Sequence, residues 1–523
     1  MNVTSIYFLA FCSALLLLYY CFPGKMRWGV LLAGSLFFYF AGTAPATIVY
    51  LLVSVCTVYW ASNRFAAVDE ALAGLDKADC DQKSRAEKKK KLLLAAVLVI
   101  NFGMLAVLKY SNLFLQPVFF VYRLSGGTAE TPYFKFASAL GISFYTLQIT
   151  GYLLDCYWGK CKVQKNIGKL LLFTCYFPQM VSGPISRYGE LERTLFAGNS
   201  FQGKRILHGM QRMLWGFFQK LVVSERLAVI VNTIYGDTDT YTGLYVWAAA
   251  FGFILQLYTD FAGCMDIVLG VSECFGIYLP ENFRMPFSAR TIQEFWQRWH
   301  ITLGTWLKDY IMYPVLKTEV WYRMGTAIKK KWGKSLGKKI PTWAGLFILW
   351  TAMGVWHGND WKYVIGEGYW FWLLIVGSQV MEPIFKKGLA FFHIRKEAFW
   401  WILFQRARTF VCFAVGMIFF RADSLRQAFV MIRNGLLRWN TGILGSGLLS
   451  LGLGKKELAV TAAGLFLLGV VSYRKEKGDI RDWIDEKPLV FRWAVWYGLF
   501  FGVLVLGCYG TFYDTSNFIY AQF

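Results

Sequence analysis

The chain contains 523 residues, of which 56% are hydrophobic and 19% aromatic, and its mean hydropathy is +0.40. A soluble core cannot absorb so much apolar surface, so the composition predicts a helical protein that crosses a membrane several times. The formal net charge of +23 is distributed in short runs between apolar segments. This pattern is typical of cytoplasmic topology signals and contacts with anionic lipids, and it argues against nucleic acid as a partner.

Thirteen apolar stretches are candidate membrane segments, and several are shorter than the roughly 20 residues of a full crossing. The short stretches 168–183 and 342–357 are predicted to be re-entrant or half-membrane helices, which protein or water must surround. We therefore expect an all-α, polytopic integral membrane protein of about 11–13 membrane helices, forming a single domain over 1–523. The stretches are 4–22, 27–41, 44–63, 92–114, 133–153, 168–183, 206–235, 243–272, 342–357, 361–382, 399–420, 458–473 and 490–510.

Two basic segments, 64–91 and 317–340, are predicted to be cytoplasmic loops because lysine and arginine accumulate on the cytoplasmic side. Counting back through three membrane segments from the first loop places the N-terminus outside. Counting forwards from 386–396, which also looks cytoplasmic, places four arginines near 421–438 outside, and an amphipathic surface helix at 422–438 would explain them as contacts with lipid head groups. We expect a multi-pass protein of a bacterial cytoplasmic membrane.

Several kinds of site are disfavoured by the sequence. Eleven cysteines include no Cys-x-x-Cys pair, which argues against a disulfide framework or a zinc site, and only Cys156 and Cys161 form a pair of interest. No histidine–carboxylate cluster has metal-ligand spacing, so no metal site is predicted. Gly333-Lys334-Ser335 fails as a phosphate-binding loop because position 328 is isoleucine.

Two of the four histidines directly follow a tryptophan, in the pairs Trp299-His300 and Trp356-His357. An ionisable group at membrane depth is costly and indicates a functional site, and imidazole is suited to moving protons near neutral pH. Gly354 and Gly358 flank His357 and permit close approach of the backbone. For His300 a purely structural, hydrogen-bonded role is the alternative.

Aromatic and charged residues surround both pairs. The aromatic side chains would line a tunnel or lie at the membrane interface. Arg298 and Lys308 would bind the phosphates of a nucleotide-bearing donor, or else mark the interface with their charges in water. The predicted donor-binding residues are Tyr258, Asp260, Arg298, Trp299, Trp306, Lys308, Asp309, Trp356 and Asn359.

The chain resembles the membrane-bound O-acyltransferase family in the motifs EFWQRWHITLGTWLKDYIMYPV and GVWHGNDWKYV. Supporting matches are FPQMVSGPISRY at 177–188, YTDFAGCMDIVLG at 258–270 and FFRADSLRQAF at 419–429. The length and the FFRADS segment resemble the branch that O-acetylates polysaccharides of the alginate type more than the branch that D-alanylates teichoic acid. After the second histidine the chain departs from the common family pattern, with Asn359-Asp360 and then Glu367.

The resemblance implies that His357 is the catalytic base and His300 a second polar residue of the active site, which donates to the oxyanion or orients the thioester. It also implies a cytoplasmic acyl donor, acetyl-CoA, and no permanently bound cofactor. The acceptor would be an exported polysaccharide or an extracytoplasmic SGNH-type acetyltransferase. The alternatives are D-alanyl transfer from an acyl carrier protein to teichoic acid, and a transporter without enzymatic activity.

Overall fold

The computed structural model describes residues 3–73, 80–128 and 139–509, and the predicted segments at 133–153 and 490–510 lie partly outside these ranges. The described residues form helices and one isolated antiparallel β-bridge, between Phe283 and Trp299. The all-α fold class predicted from the sequence is thus confirmed. The chain divides into two compact units, 1–213 with 264–280, and 214–263 with 281–523.

Nine α-helices begin among the described residues of the first unit. Helices α3, α4 and α5 pack against one another, and α2 packs against α1 and α6. The helices are α1 (Ile6–Cys21), α2 (Arg27–Gly42), α3 (Ile48–Ala73), α4 (Cys80–Leu124), α5 (Ile142–Tyr157), α6 (Ile167–Cys175), α7 (Phe177–Met180), α8 (Tyr188–Leu195) and α9 (Gly203–Phe217).

The second unit contains the elements that position both tryptophan–histidine pairs. Three π-helical stretches interrupt its helices, at Phe218–Ser224, Lys308–Met312 and Val364–Tyr369. The helices are α10 (Glu225–Gly236), α11 (Leu244–Cys274), α12 (Ile292–Trp296), α13 (Ile301–Leu307), α14 (Tyr313–Leu316), α15 (Glu319–His357), α16 (Trp361–Tyr363), α17 (Trp370–Val380), α18 (Glu382–Phe391), α19 (Phe399–Arg421), α20 (Leu425–Leu437), α21 (Lys455–Lys475), α22 (Ile480–Asp485) and α23 (Leu489–Leu506).

Six helical segments of the described chain are long and apolar enough to cross a membrane. They are Pro45–Ala73, Asp81–Leu124, Leu244–Cys274, Phe399–Arg421, Lys455–Lys475 and Leu489–Leu506. A seventh is formed if Trp361–Val380 and Glu382–Phe391, which are bent by 57° at their break, count as one span. The protein is therefore a multi-pass membrane protein, and the total of 11–13 membrane helices, which includes shorter helices, stays a prediction.

The two basic segments predicted as loops are largely helical. Most of 64–91 continues α3 and begins α4, where Lys90 Nζ pairs with Asp69 Oδ1 at 2.7 Å; residues 74–79 lie outside the described ranges. Most of 317–340 belongs to α15. Lysine, which is frequent in both segments, has high helix propensity, so a basic composition does not by itself produce a loop.

Helix α15 is interrupted at Gly333, whose backbone has φ 88° and ψ 168°. A residue with a side chain rarely adopts this conformation, so glycine is required at the break. The Gly333-Lys334-Ser335 sequence, which fails as a phosphate-binding loop, therefore serves to interrupt a long helix.

The helix predicted at 422–438 is present as α20, and Ser424 begins it by accepting a hydrogen bond from the backbone N–H of Gln427 at 3.2 Å. Ala428 and Met431 lie on its buried face, while Phe429 and Leu437 are exposed. The helix therefore has a buried face and an exposed apolar face, as expected for a helix that lies along a membrane surface.

Candidate active site

His357 is the last residue of α15 and is 1% exposed. The glycines beside it permit the close approach that the sequence predicts. A methyl group at position 358 would lie 2.3 Å from a ring carbon of Tyr363, and one at position 354 would lie 2.7 Å from the Cα atom of Val364. Because both positions lack a side chain, the chain turns back after His357 and packs against the end of α15.

This turn brings Glu367 onto His357. The π-helical stretch Val364–Tyr369 packs against α15 and α19, and the carboxyl oxygen Oε2 of Glu367 is in ion-pairing contact with Nδ1 of His357. Glu367 is 1% exposed, so both groups are removed from water. A buried carboxyl group is costly without a partner, and π-helical turns occur frequently at functional sites. The contact therefore marks a histidine–carboxyl pair in the protein interior.

His300 is held in an unusual backbone conformation, with φ 45° and ψ 52° at the start of α13. Few residues other than glycine adopt this left-handed region, and those that do are often at functional sites. Two backbone hydrogen bonds flank it, from Arg284 N to Arg298 O at 2.9 Å and from Ile301 N to Asn282 O at 3.0 Å. The short antiparallel pairing of 282–284 with 298–301 thus fixes the position of His300.

Asn282 determines the tautomer of His300. Its Oδ1 atom accepts hydrogen bonds from the backbone N–H of Thr302 at 3.1 Å and from the Thr302 hydroxyl at 2.8 Å, so this atom must be the amide oxygen. Nδ1 of His300 lies 3.3 Å from the same oxygen and is therefore the donor. In the neutral ring, Nε2 then carries a lone pair and no proton.

His300 lies outside the candidate membrane-spanning helices, and its buried surroundings determine its protonation state. Burial lowers the pKa of His300 well below the ordinary value for histidine, and the nearby His357 lowers it further. Removing an imidazolium from water disfavours the charged form, as does a second positive charge. His300 is thus neutral at physiological pH and offers an acceptor at Nε2.

One indole ring joins the two histidines. The ring of Trp356 lies 5.7 Å from that of His300 and 5.1 Å from that of His357, measured between ring centroids. Phe261 contacts His300 from another direction at 4.9 Å, and Phe420 contacts His357 at 5.8 Å. Two histidines 57 positions apart in the sequence therefore share one aromatic enclosure.

Three predicted aromatic residues belong to the packed core. Tyr258 and Trp299 are both buried, with ring centroids 5.9 Å apart, and Trp299 stacks on Phe295 at 5.5 Å. Trp306 is 4% exposed and packs against Tyr310 at 5.1 Å. Their packing fixes the segments on which the two histidines are carried.

The predicted charged residues Arg298, Lys308 and Asp309 differ in their ion pairs and in their exposure to solvent. Arg298 pairs with Glu294 at 3.0 Å and with Glu476 at 3.6 Å. Lys308 is exposed, whereas Asp309 is half-buried. Their donor-binding roles stay predictions.

Two further predicted residues are close to the histidines. Asn359 is near His357 in the sequence, and Asp260 precedes a residue that packs on His300. Asn359 is half-buried and follows the turn at Gly358. Asp260 is completely buried, and its Oδ1 atom lies 2.6 Å from Nζ of Lys220, which also lies 2.6 Å from Glu225. Asp260 is thus part of a buried ion cluster one position before Phe261, the residue that packs on His300.

Glu367 and Asn282 were not among the site residues predicted from the sequence. Glu367 was visible only as a departure from the family pattern. A carboxyl group inside the apolar stretch YVIGEGYWFW is itself a signal, because a charge at membrane depth indicates function. Asn282 offered no comparable signal, since its role depends on a backbone pairing that brings 282 to 300 and 302.

The chain is similar in sequence to a known protein family and to several characterised proteins. The model of the membrane-bound O-acyltransferase family matches residues 165–325, a region that includes His300 and ends before His357. The chain is 27% identical over 426 residues to a Pseudomonas syringae protein named "probable alginate O-acetylase AlgI", covering 81% of this chain and 73% of the relative.

Two other relatives carry different activities in their names. A peptidoglycan O-acetyltransferase of Helicobacter pylori is 26% identical over 372 residues, covering 66% of this chain and 64% of the relative. A teichoic acid D-alanyltransferase of Bacillus subtilis is 31% identical over 254 residues, covering 46% and 59%. The chain is therefore similar to the membrane-bound O-acyltransferase family over 165–325, and it is an O-acyltransferase.

Proposed function

We propose that this enzyme takes an acetyl group from a thioester donor in the cytoplasm, acetyl-CoA, and moves it across the membrane for O-acetylation of an exported or cell-surface polysaccharide. The observation that carries the proposal is the enclosure of His300 and His357 around Trp356, with Glu367 on His357. Similarity to the Pseudomonas syringae relative over most of both chains supports the acetyl group and the polysaccharide acceptor.

In this mechanism Glu367 orients the base. As a carboxylate it takes the hydrogen bond of Nδ1–H of His357, which leaves the lone pair on Nε2. Nε2 removes the proton of the acceptor hydroxyl while the hydroxyl oxygen attacks the thioester carbonyl. The carbon–oxygen bond forms, the carbon–sulfur bond breaks, and the proton on Nε2 passes to the departing thiolate. The step needs no net proton from outside the site.

His300 has an orienting role in this mechanism. Because Nδ1 donates to Asn282, the neutral ring presents an acceptor at Nε2 and has no proton there for an oxyanion. Of the two roles expected from the family resemblance, orientation of the reacting groups therefore agrees better with the hydrogen bonds.

The proposed route places the acyl donor on the cytoplasmic side, near the basic part of α15 that precedes Lys339, and the acceptor on the opposite side. The N-terminus would then lie outside a bacterial cytoplasmic membrane. The acceptor is the polysaccharide itself or an extracytoplasmic SGNH-type acetyltransferase that passes the group on. Only the acetyl group crosses, while the donor stays in the cytoplasm.

Transfer of D-alanine to teichoic acid from a carrier-protein thioester is the second candidate. It is favoured by 31% identity to the Bacillus subtilis relative, which covers 46% of this chain. Membranes supplied with labelled acetyl-CoA or with a D-alanylated carrier distinguish the two. Label in a cell-surface polymer from acetyl-CoA supports the first, and label from the carrier alone supports the second.

The catalytic assignment is tested in membranes that contain the wild type or His357→Ala. With labelled acetyl-CoA we expect the variant to lose polymer acetylation while its amount in the membrane is unchanged. His393→Asn is the matched control, because His393 is exposed and has φ 52°, a conformation that asparagine tolerates. Normal acetylation by His357→Ala would refute the role of His357.

A further inference from the structure

We propose that the indole N–H groups of Trp296 and Trp350 bind the amide carbonyls of the pantetheine arm of the acyl donor. The inference rests on the proposed thioester donor and adds a binding site for the part of that donor next to the sulfur. Acetyl-CoA and a phosphopantetheine-bearing carrier share this arm, so the chemistry is common to both donors.

The first observation is that both indole nitrogens are buried donors to which the described part of the chain offers no hydrogen-bond acceptor. Trp350 is only 3% exposed. A buried donor without an acceptor is costly, and most buried polar groups in proteins have a partner. The two N–H groups therefore indicate a ligand that carries acceptors.

Other tryptophans of the same unit show the usual arrangement. Trp370 Nε1 donates to Cys412 O at 2.9 Å, and Trp372 Nε1 donates to Trp343 O at 2.9 Å. Trp343 Nε1 in turn donates to Gln379 Oε1 at 2.8 Å. Neighbouring elements thus supply acceptors to these three indole groups. The indole nitrogens of Trp401 and Trp496 also lack an acceptor within the described chain, so Trp296 and Trp350 are distinguished by where they lie.

The second observation is that the two indoles lie together. Their ring centroids are 5.1 Å apart with the planes at 72°, and both pack on Phe371, at 5.0 Å for Trp296 and 5.8 Å for Trp350. Trp296 ends α12, four positions before His300. Two donors from separate elements are therefore paired on the His300 side of the site.

The third observation is the position of Trp350 on α15. It precedes His357 by seven residues, so both side chains lie on the same face of the helix, about 10 Å apart along its axis. The basic part of α15 lies further toward its N-terminus and includes Lys338 and Lys339. Along this helix, Trp350 is thus between the base and a region of positive charge.

The thioester, the amides and the phosphates of a pantetheine-bearing donor follow the same order as His357, Trp350 and the lysines along α15. Its second amide carbonyl is eight bonds from the sulfur, roughly 9 Å in an extended chain, if the reach of a polypeptide backbone is taken as a guide. A thioester placed at His357 would bring that carbonyl level with Trp350, and its phosphates would continue toward the lysines. Neutral amide oxygens suit neutral indole donors, whereas phosphates require cations.

The experiment compares Trp350→Phe and Trp296→Phe with the wild type in acetyl transfer from acetyl-CoA and from ethyl thioacetate, a thioester without amides. Phenylalanine keeps the aromatic packing and removes the N–H group. We expect KM for acetyl-CoA to rise about threefold to tenfold with little change in kcat. The kcat/KM for ethyl thioacetate should stay within about twofold of the wild type.

Trp370→Phe is the matched control, because its N–H group has an acceptor within the protein, and it should leave KM for both donors unchanged. Thermal unfolding of each purified variant shows whether the fold is retained. An acetylated phosphopantetheinyl carrier is tested beside acetyl-CoA. A rise in KM with either donor supports the proposal and shows which molecule brings the arm.

Three results would overturn the proposal: unchanged KM in both variants, an equal loss with ethyl thioacetate, or the same rise in Trp370→Phe. The second result would mean that the two N–H groups point at aromatic rings and act only in packing. If the wild type transfers acetyl groups from neither donor, the proposed function fails as well. Transfer by the wild type with unaffected variants refutes the tryptophan assignment alone.

Discussion

The carboxyl group of Glu367 lies against Nδ1 of His357, although ten positions separate the two residues in the sequence. The contact depends on the turn at Gly358 and on the π-helical stretch that follows it. In a regular helix continuing from α15, positions 357 and 367 would be almost three turns apart. The break in the helix is therefore what creates the histidine–carboxyl pair.

Replacing Glu367 by glutamine should lower kcat about 10-fold to 100-fold, the range found when a partner that orients a functional histidine is lost. Glutamine keeps the size of the side chain and removes the negative charge that favours Nδ1–H and stabilises the imidazolium. Steady-state acetyl transfer in membranes measures the effect. Glu382→Gln is the control, since Glu382 is exposed and pairs only at the surface with Lys386 at 2.7 Å. Equal activity of Glu367→Gln and the wild type would rule out an orienting role.

Replacing Gly358 by alanine should abolish most activity and lower the melting temperature. The added methyl group would overlap the ring of Tyr363 and push 361–367 away from His357. Overpacking of this kind costs about 1–3 kcal/mol in folding free energy. Gly377→Ala tests the same chemical change where no atom lies within 4 Å, and it should be neutral or stabilising. If the two variants behave alike, the close approach at Gly358 is unimportant.

The lowered pKa of His300 predicts acid sensitivity of the fold. The unfolded chain binds a proton at this residue below about pH 6.5, whereas the folded protein resists it to lower pH. His300 therefore contributes stability above pH 6.5, and this contribution is lost as the pH falls toward its folded-state pKa. Thermal unfolding of the purified protein between pH 7.5 and pH 5 measures the decline.

His300→Gln should show a smaller decline over the same range, because the proton-binding group is removed. His393→Asn serves as the control and should follow the wild type, since His393 is exposed. A decline in His300→Gln as steep as in the wild type would show that other groups cause the acid sensitivity.

Composition and periodicity were sufficient for the fold class because the lipid environment leaves few alternatives to helices. They were less informative about the basic segments. Residues 81–91 and 319–339 have the charge of cytoplasmic loops, yet they are helical, because charge reports on topology and helix propensity is set by side-chain entropy. The side of the membrane on which a segment lies and its secondary structure are therefore separate properties.

The candidate site was likewise predicted only in part from the sequence. His300 and His357 were identified from their tryptophan neighbours and from the family resemblance, and the structure brings them together around Trp356. Asp260 was predicted to bind the donor, whereas its nearest charge is Lys220 at 2.6 Å. Pairings of this kind depend on which helices become neighbours, and no spacing along the chain encodes them directly.

The shared contact of His300 and His357 with Trp356 has a consequence for how relatives of this enzyme are recognised. The segment that identifies the family, 165–325, contains one of the two histidines, while His357 and Glu367 lie beyond its end. A shortened or recombined gene that ended after this segment would keep the match to the family model and lose His357 and Glu367, the proposed base and its carboxyl partner. Under the proposed mechanism, the match to the family model and the catalytic activity thus depend on different parts of the chain. A genome survey for active enzymes should check both parts.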